Sequence, residues 1–207
     1  MKPSQKAQQE YRHRVAPKRA REINLQWYKD RAVEDGKQRI ANWGKRILQP
    51  GKIYIFDYDP VTKEELEWYD RNPMVLSLGL LQREGRWRKL LDLGINLHFI
   101  PLEMRKVLLD RIYDLNKSII ENEIRSNLRV TADRQQHLRN VDYHGIKNFL
   151  KTNGFDFAIR SYYRQKRRDV FVIPYEDWYR TLYLRQEDII GTSIQNIYRA
   201  FHRKRRG

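Results

Sequence analysis

Two carboxylates, Asp57 and Asp59, alternate in the β-rich run Lys52-Ile53-Tyr54-Ile55-Phe56-Asp57-Tyr58-Asp59. Alternate residues of a strand share a face, so the pair could hold a metal ion for phosphodiester chemistry. Asp59-Pro60 is equally ordinary turn chemistry. The five histidines, His13, His98, His137, His144 and His202, show no metal-ligand spacing. His98 lies in an apolar run and reads as a satisfied core or interface residue. The chain has no G-x-S-x-G elbow, no G-x-x-x-x-G-K-[ST] loop and no cysteine. Thiolate nucleophiles, disulfides and cysteine zinc sites are thereby removed. These residues predict a protein that is not an enzyme and has neither cofactor nor metal, with a metal-dependent nuclease or recombination factor using Asp57 and Asp59 as the alternative.

The stronger chemical signal is cationic. Arg164, Lys166, Arg167 and Arg168 form one cluster, Arg203, Lys204, Arg205 and Arg206 a second, and Lys18, Arg19 and Arg21 a third. Clustered guanidinium and ammonium groups neutralise phosphates in series, so these residues are the predicted nucleic-acid contacts. Tyr162 and Tyr163 beside the first cluster could stack on unpaired bases or pack in a sheet. The whole chain has 42 Lys plus Arg against 26 Asp plus Glu, a net charge of +16. Residues 1–50 carry +8, residues 158–207 carry +7, and residues 51–157 only +1. A nearly neutral body with basic ends suits capture of a polyanion: the ends follow a phosphate backbone while the body supplies shape. No apolar run approaches the roughly 20 residues of a membrane span, and Met1 to Glu10 has no signal-like apolar stretch.

The elements that must position these groups can be read from pattern. Residues 1–49 carry a sparse apolar stripe, with Ile23 and Trp27, then Trp43 and Ile47, four apart, and predict a basic helical N-terminal arm. At Pro50-Gly51 the pattern changes to strand. Apolar runs at 74–81 and 93–100 predict two further strands, with the charged loop Gln82 to Lys89 between them, and Val170 to Ile173 predicts another. Pro101 stands at the first position of a helix with Leu108, Ile112, Leu115 and Ile119 on one stripe. Ile146, Phe149 and Leu150 before Asn153-Gly154 predict a short helix with a glycine stop. Residues 190–201 predict a last helix through Ile190, Ile194, Ile197, Tyr198 and Phe201. The fold class is α+β, a small mixed or antiparallel sheet with packed helices. Its expected divisions are an arm at 1–49, a body at 50–190, and a C-terminal helix with basic tail at 191–207.

The segments Pro50 to Pro60, Trp68-Tyr69-Asp70-Arg71-Asn72-Pro73 and Gly94-Ile95-Asn96-Leu97-His98-Phe99-Ile100-Pro101 resemble, in order, motifs of the DNA end protector family of tailed phages. The helix segment Met104-Arg105-Lys106-Val107-Leu108-Leu109-Asp110 and the turn Pro174-Tyr175-Glu176-Asp177-Trp178 are similar too. The resemblance spans residues 50–115 and 168–190, and residues 1–48 match nothing in it. It implies a virion protein, made in the host cytoplasm, that engages the ends of packaged double-stranded DNA at the head–tail connector, neck or tail. It further implies multiple copies and portal, neck or tail proteins as partners, with no membrane. A ring or baseplate adaptor without DNA contact is the other structural reading. Gly94, Asn96, His98, Pro101 and Trp178 are then expected to brace the scaffold, leaving DNA contact to the basic ends.

Overall fold

The computed structural model describes residues 48–82, 90–126, 143–173, 175–182 and 188–204. Seven strands are found among them: β1 (Ile53–Tyr58), β2 (Tyr69–Asp70), β3 (Met74–Gln82), β4 (Leu90–Asn96), β5 (Ile159–Tyr163), β6 (Arg167–Ile173) and β7 (Ile189–Ile190). The helices are α1 (Leu102–Ser126), α2 (Tyr143–Asn153), the single turn α3 (Trp178–Thr181) and α4 (Ile194–Lys204). Five strands form one sheet in the order β5-β4-β3-β1-β6, and β2 pairs with β7 in a separate ribbon. Every pairing is antiparallel, so the fold is α+β with an antiparallel rather than a mixed sheet.

The edge strands β5 and β6 are consecutive in sequence, joined only by the 3-10 turn Arg164–Lys166. Four gaps of about 4.8 Å would put the edges of a flat five-stranded sheet roughly 19 Å apart. Four Cα steps span at most about 14 Å. The sheet must therefore curl until its edges approach. Contacts that skip strands show that it does. Tyr162 of β5 lies 5.1 Å from Tyr58 and 5.3 Å from Phe56 of β1, ring centre to ring centre.

Two bulges supply the bend. β3 has one extra residue between Ser77 and Gly79 relative to β4, and β6 has one between Phe171 and Arg168 relative to β1. Gly79 has φ 105°, and Asp169 has φ 44°. Bulges increase local twist, and glycine and aspartate are among the residues that tolerate this left-handed backbone.

Curling buries both faces of β1. Alternation along β1 sends Tyr54, Phe56 and Tyr58 to the inner face, where they pack with Leu48, Val75 and Tyr162. Ile53 faces the other way and joins Met74, Leu76, Ile95 and Ile173 in the main core. The helices cover that outer face with Leu108, Leu109, Ile112, Ile146, Leu150, Trp178 and Ile197. Trp178 also donates its indole N–H to the Ile173 carbonyl at 3.2 Å. The C-terminal helix α4 thus belongs to the same core as the sheet.

Several boundaries differ from the sequence reading. The strand expected at 93–100 is β4, which runs Leu90–Asn96 and ends in the 3-10 turn Leu97–Phe99, because Asn96 Oδ1 accepts from the His98 backbone N–H at 3.0 Å. Helix α1 starts at Leu102, with the Pro101 carbonyl accepting from Met104 and Arg105. Pro101 therefore caps the helix instead of occupying its first turn. Leu108 and Ile112 are buried as expected, while the side chains of Leu115 and Ile119 lie outside the described residues. So does the N-terminal arm, apart from its last positions.

Candidate nucleic-acid interface

Among the described residues, α4 presents an exposed cationic face. Its sequence, Ile194 to Lys204, contains no acidic residue. Ile197 is buried and Ile194, Tyr198 and Phe201 pack against the core, while Gln195, Asn196, Arg199, Ala200 and Arg203 are exposed. This is one helix with a docked apolar stripe and a free polar face. The docking is aromatic: Phe201 stacks on Phe157 at 3.9 Å with rings 11° apart, and Tyr198 meets Phe155 edge-on at 5.9 Å. Arg199 and Arg203, one turn apart, consequently point away from the body. Helix α2 is also free of acidic residues and exposes His144, Lys147 and Lys151. Its C-terminus leads directly into Phe155, whose N–H donates to the Leu150 carbonyl at 2.8 Å.

The cluster predicted at Arg164, Lys166, Arg167 and Arg168 divides. Arg168 is exposed and Lys166 half-exposed, as phosphate contacts require. Arg167 is not on the surface. It is 3 % exposed, and its Nη2 lies 2.8 Å from Oδ2 of the buried Asp92, so its charge is committed to the inner face of the sheet. Arg164 Nε lies 3.5 Å from the same oxygen, with an 11 % exposed side chain. The other Asp92 oxygen accepts from the Leu48 N–H at 3.1 Å. Burial pushes the Asp92 carboxyl above its ordinary range, opposed by Arg167, the Leu48 N–H and Arg164. It also pushes Arg167 below its ordinary range, opposed chiefly by Asp92. Desolvation thus outweighs attraction for both partners, the general hazard of a buried ion pair.

Tyr162 is buried against Phe56 and Tyr58 and is not available for base stacking. Asp59 sits 3.3 Å from Lys63, and Asp57 stands opposite Arg168 in the β1–β6 ladder. Among the described residues no group of three His, Cys, Asp or Glu side chains is placed to hold a metal ion. Lys18, Arg19, Arg21, Arg205 and Arg206 lie outside the described residues, as does the Lys204 side chain.

The scaffold motifs interlock through Asp70. His98 Nδ1–H donates to Asp70 Oδ2 at 2.7 Å, and Asn96 Nδ2 donates to the same oxygen at 3.0 Å. The Asn72 N–H donates to Oδ1 at 3.2 Å. Asp70, Asn96 and His98 are all buried. Arg105, on the first turn of α1, donates Nε–H to the Ile100 carbonyl and Nη2–H to the His98 carbonyl. Gly94 is required by packing: a Cβ there would lie 2.2 Å from Val75 Cγ1 and 3.0 Å from the Leu76 carbonyl oxygen. A further bond from Asn72 Nδ2 to Asp188 Oδ2, at 3.2 Å, ties this motif to the segment entering β7.

Sequence reasoning missed Asp70, Asp92 and Arg105 as site-building residues. An aspartate inside Leu90-Leu91-Asp92-Leu93-Gly94-Ile95 was a usable signal, because a charge in an apolar strand needs a partner. Arg199 was missed too, though it lies four residues from Arg203 and opposite the apolar stripe.

A curled antiparallel sheet covered by helices, with acid-free cationic helix faces outside and a buried polar lock inside, defines a basic α+β protein. Residues 5–194 match the family model for the phage T4 terminal DNA protecting protein, a wider span than 50–115 and 168–190 that takes in most of residues 1–48, and the chain belongs to that family. No curated protein and no solved structure gave a significant match. Among the described residues no helix is long and apolar enough to cross a membrane.

Proposed function

We propose that this protein binds the ends of packaged phage double-stranded DNA and shields them without catalysis, as a virion component at the head–tail connector, neck or tail, present in several copies and seated on portal, neck or tail proteins. The observation that carries the reading is α4: aromatic docking fixes the helix while Arg199 and Arg203 face outward at the root of Lys204-Arg205-Arg206. Such groups contact phosphates, which fix register and carry no base information. The nearly neutral residues 51–157 supply three of the five sheet strands and the Asp70 lock on which this face is built. Membership of the terminal DNA-protecting family supports duplex ends over other polyanions.

Neutralising Arg203, Lys204, Arg205 and Arg206 together tests this. Duplex affinity should fall equally on all sequences, and the log–log salt dependence should become shallower by about three to four, given a slope of about −0.9 per neutralised phosphate. An unchanged salt slope would reject the DNA contact. If particle incorporation fell at the same time, the tail would meet acidic protein instead.

A further inference from the structure

The turn between β5 and β6 sets two guanidinium groups against one buried carboxylate. Arg164 and Arg167 share one buried carboxylate, Asp92. Arg167 holds it at 2.8 Å, Arg164 only at 3.5 Å, and the buried Nη2 of Arg164 has no hydrogen-bond partner among the described residues. Lys166, two residues on, is half-exposed, and the turn Arg164–Lys166 contains no acidic residue. A second guanidinium beside an already paired carboxylate leaves a net positive charge at a desolvated position, where an anion is favoured. Arg164 is also the guanidinium that can leave, because Asp92 would keep its shorter partner.

We infer that the Arg164–Lys166 turn is a phosphomonoester site whose ligand is the terminal phosphate of a duplex end. This rests on the DNA-end reading above and deepens it. Burial of Arg164 selects the ligand. Arg164 is too buried to meet the shallow rail of internal phosphodiesters, which exposed side chains such as Arg199 and Arg203 are placed to follow. A chain end projects, and its phosphate carries up to two negative charges and three free oxygens, against one charge for an internal diester. Charge-assisted bidentate pairing is what a guanidinium offers such a group.

The test uses the full-length protein and blunt duplexes of one sequence, phosphorylated at the 5′ end, at the 3′ end or at neither, with a hairpin-capped duplex as the endless control. One of the phosphorylated duplexes should bind about tenfold more tightly than the unphosphorylated one, the scale of one hydrogen bond to a charged group. Arg164→Gln, folded by its thermal transition, should abolish that preference. Lys166→Gln, which does not touch Asp92, should reduce the preference and guards against a folding defect in the first variant. Equal affinity for all open ends, or a preference that survives both substitutions, would overturn the inference. So would binding of inorganic phosphate to the turn without any end preference. Failure of the wider reading looks different: the capped duplex itself would show no salt-dependent affinity.

Discussion

Asp70 accepts from three donors on two motifs, so its removal orphans Asn72 N–H, Asn96 Nδ2 and His98 Nδ1 at once. Asp70→Ala should cost roughly 3–5 kcal/mol, the scale for breaking a buried ionic contact by deleting one partner, read from urea unfolding. Gly94→Ala should cost about 1–3 kcal/mol by overpacking against Val75. Asp92 makes a prediction about pH. Its native value is raised above the unfolded one, so between the two the native state holds a proton that the unfolded chain has released. Its contribution to stability is therefore fully present below the ordinary carboxylate value and is lost as pH rises through the raised native value. Stability measured across that window in Asp92→Asn should lack this component. An unchanged pH profile would mean that Asp92 is not the titrating group.

At the scale of elements, Leu108→Ala should destabilise the protein by about 2–5 kcal/mol, because Leu108 is fully buried where α1 meets the sheet. Asp59→Ala, which removes only an exposed pair with Lys63, should change stability far less. Reversed effects in thermal unfolding would mean that the face of α1 is misassigned. The elements that were legible in sequence are those whose apolar pattern is strong: β1, β3, α1, α2 and α4. Strand β5 was hidden because Arg160 and Ser161 interrupt its apolar residues, and Arg160 satisfies itself over the Trp68 ring at 4.4 Å. The start of β6 was hidden for a related reason. Arg167 and Arg168 read as one solvated cluster, yet strand alternation sends Arg167 inward to Asp92 and Arg168 to the opposite face. Proximity in sequence says nothing about such a split, and the ion pair joins residues 75 positions apart. The two-residue ribbon β2–β7 is too short for any periodicity to reveal.

At the scale of the whole molecule, closure of the sheet and placement of charge are linked. Curling brings the β5–β6 turn over β4, so a basic segment between two edge strands is partly buried and partly exposed. The docked α4 supplies a second basic face from the same basic C-terminal segment, residues 158–207. The central claim is that these faces occupy duplex ends. It is tested most directly by digesting a linear duplex with a double-strand exonuclease in the presence of the full-length protein, beside a variant with Arg199, Arg203, Lys204, Arg205 and Arg206 replaced by Gln. The account predicts that the wild-type protein blocks digestion from both ends, and that the variant, folded by its thermal transition, leaves the ends open. Full protection by the variant, or unimpeded digestion under saturating wild-type protein, would contradict it.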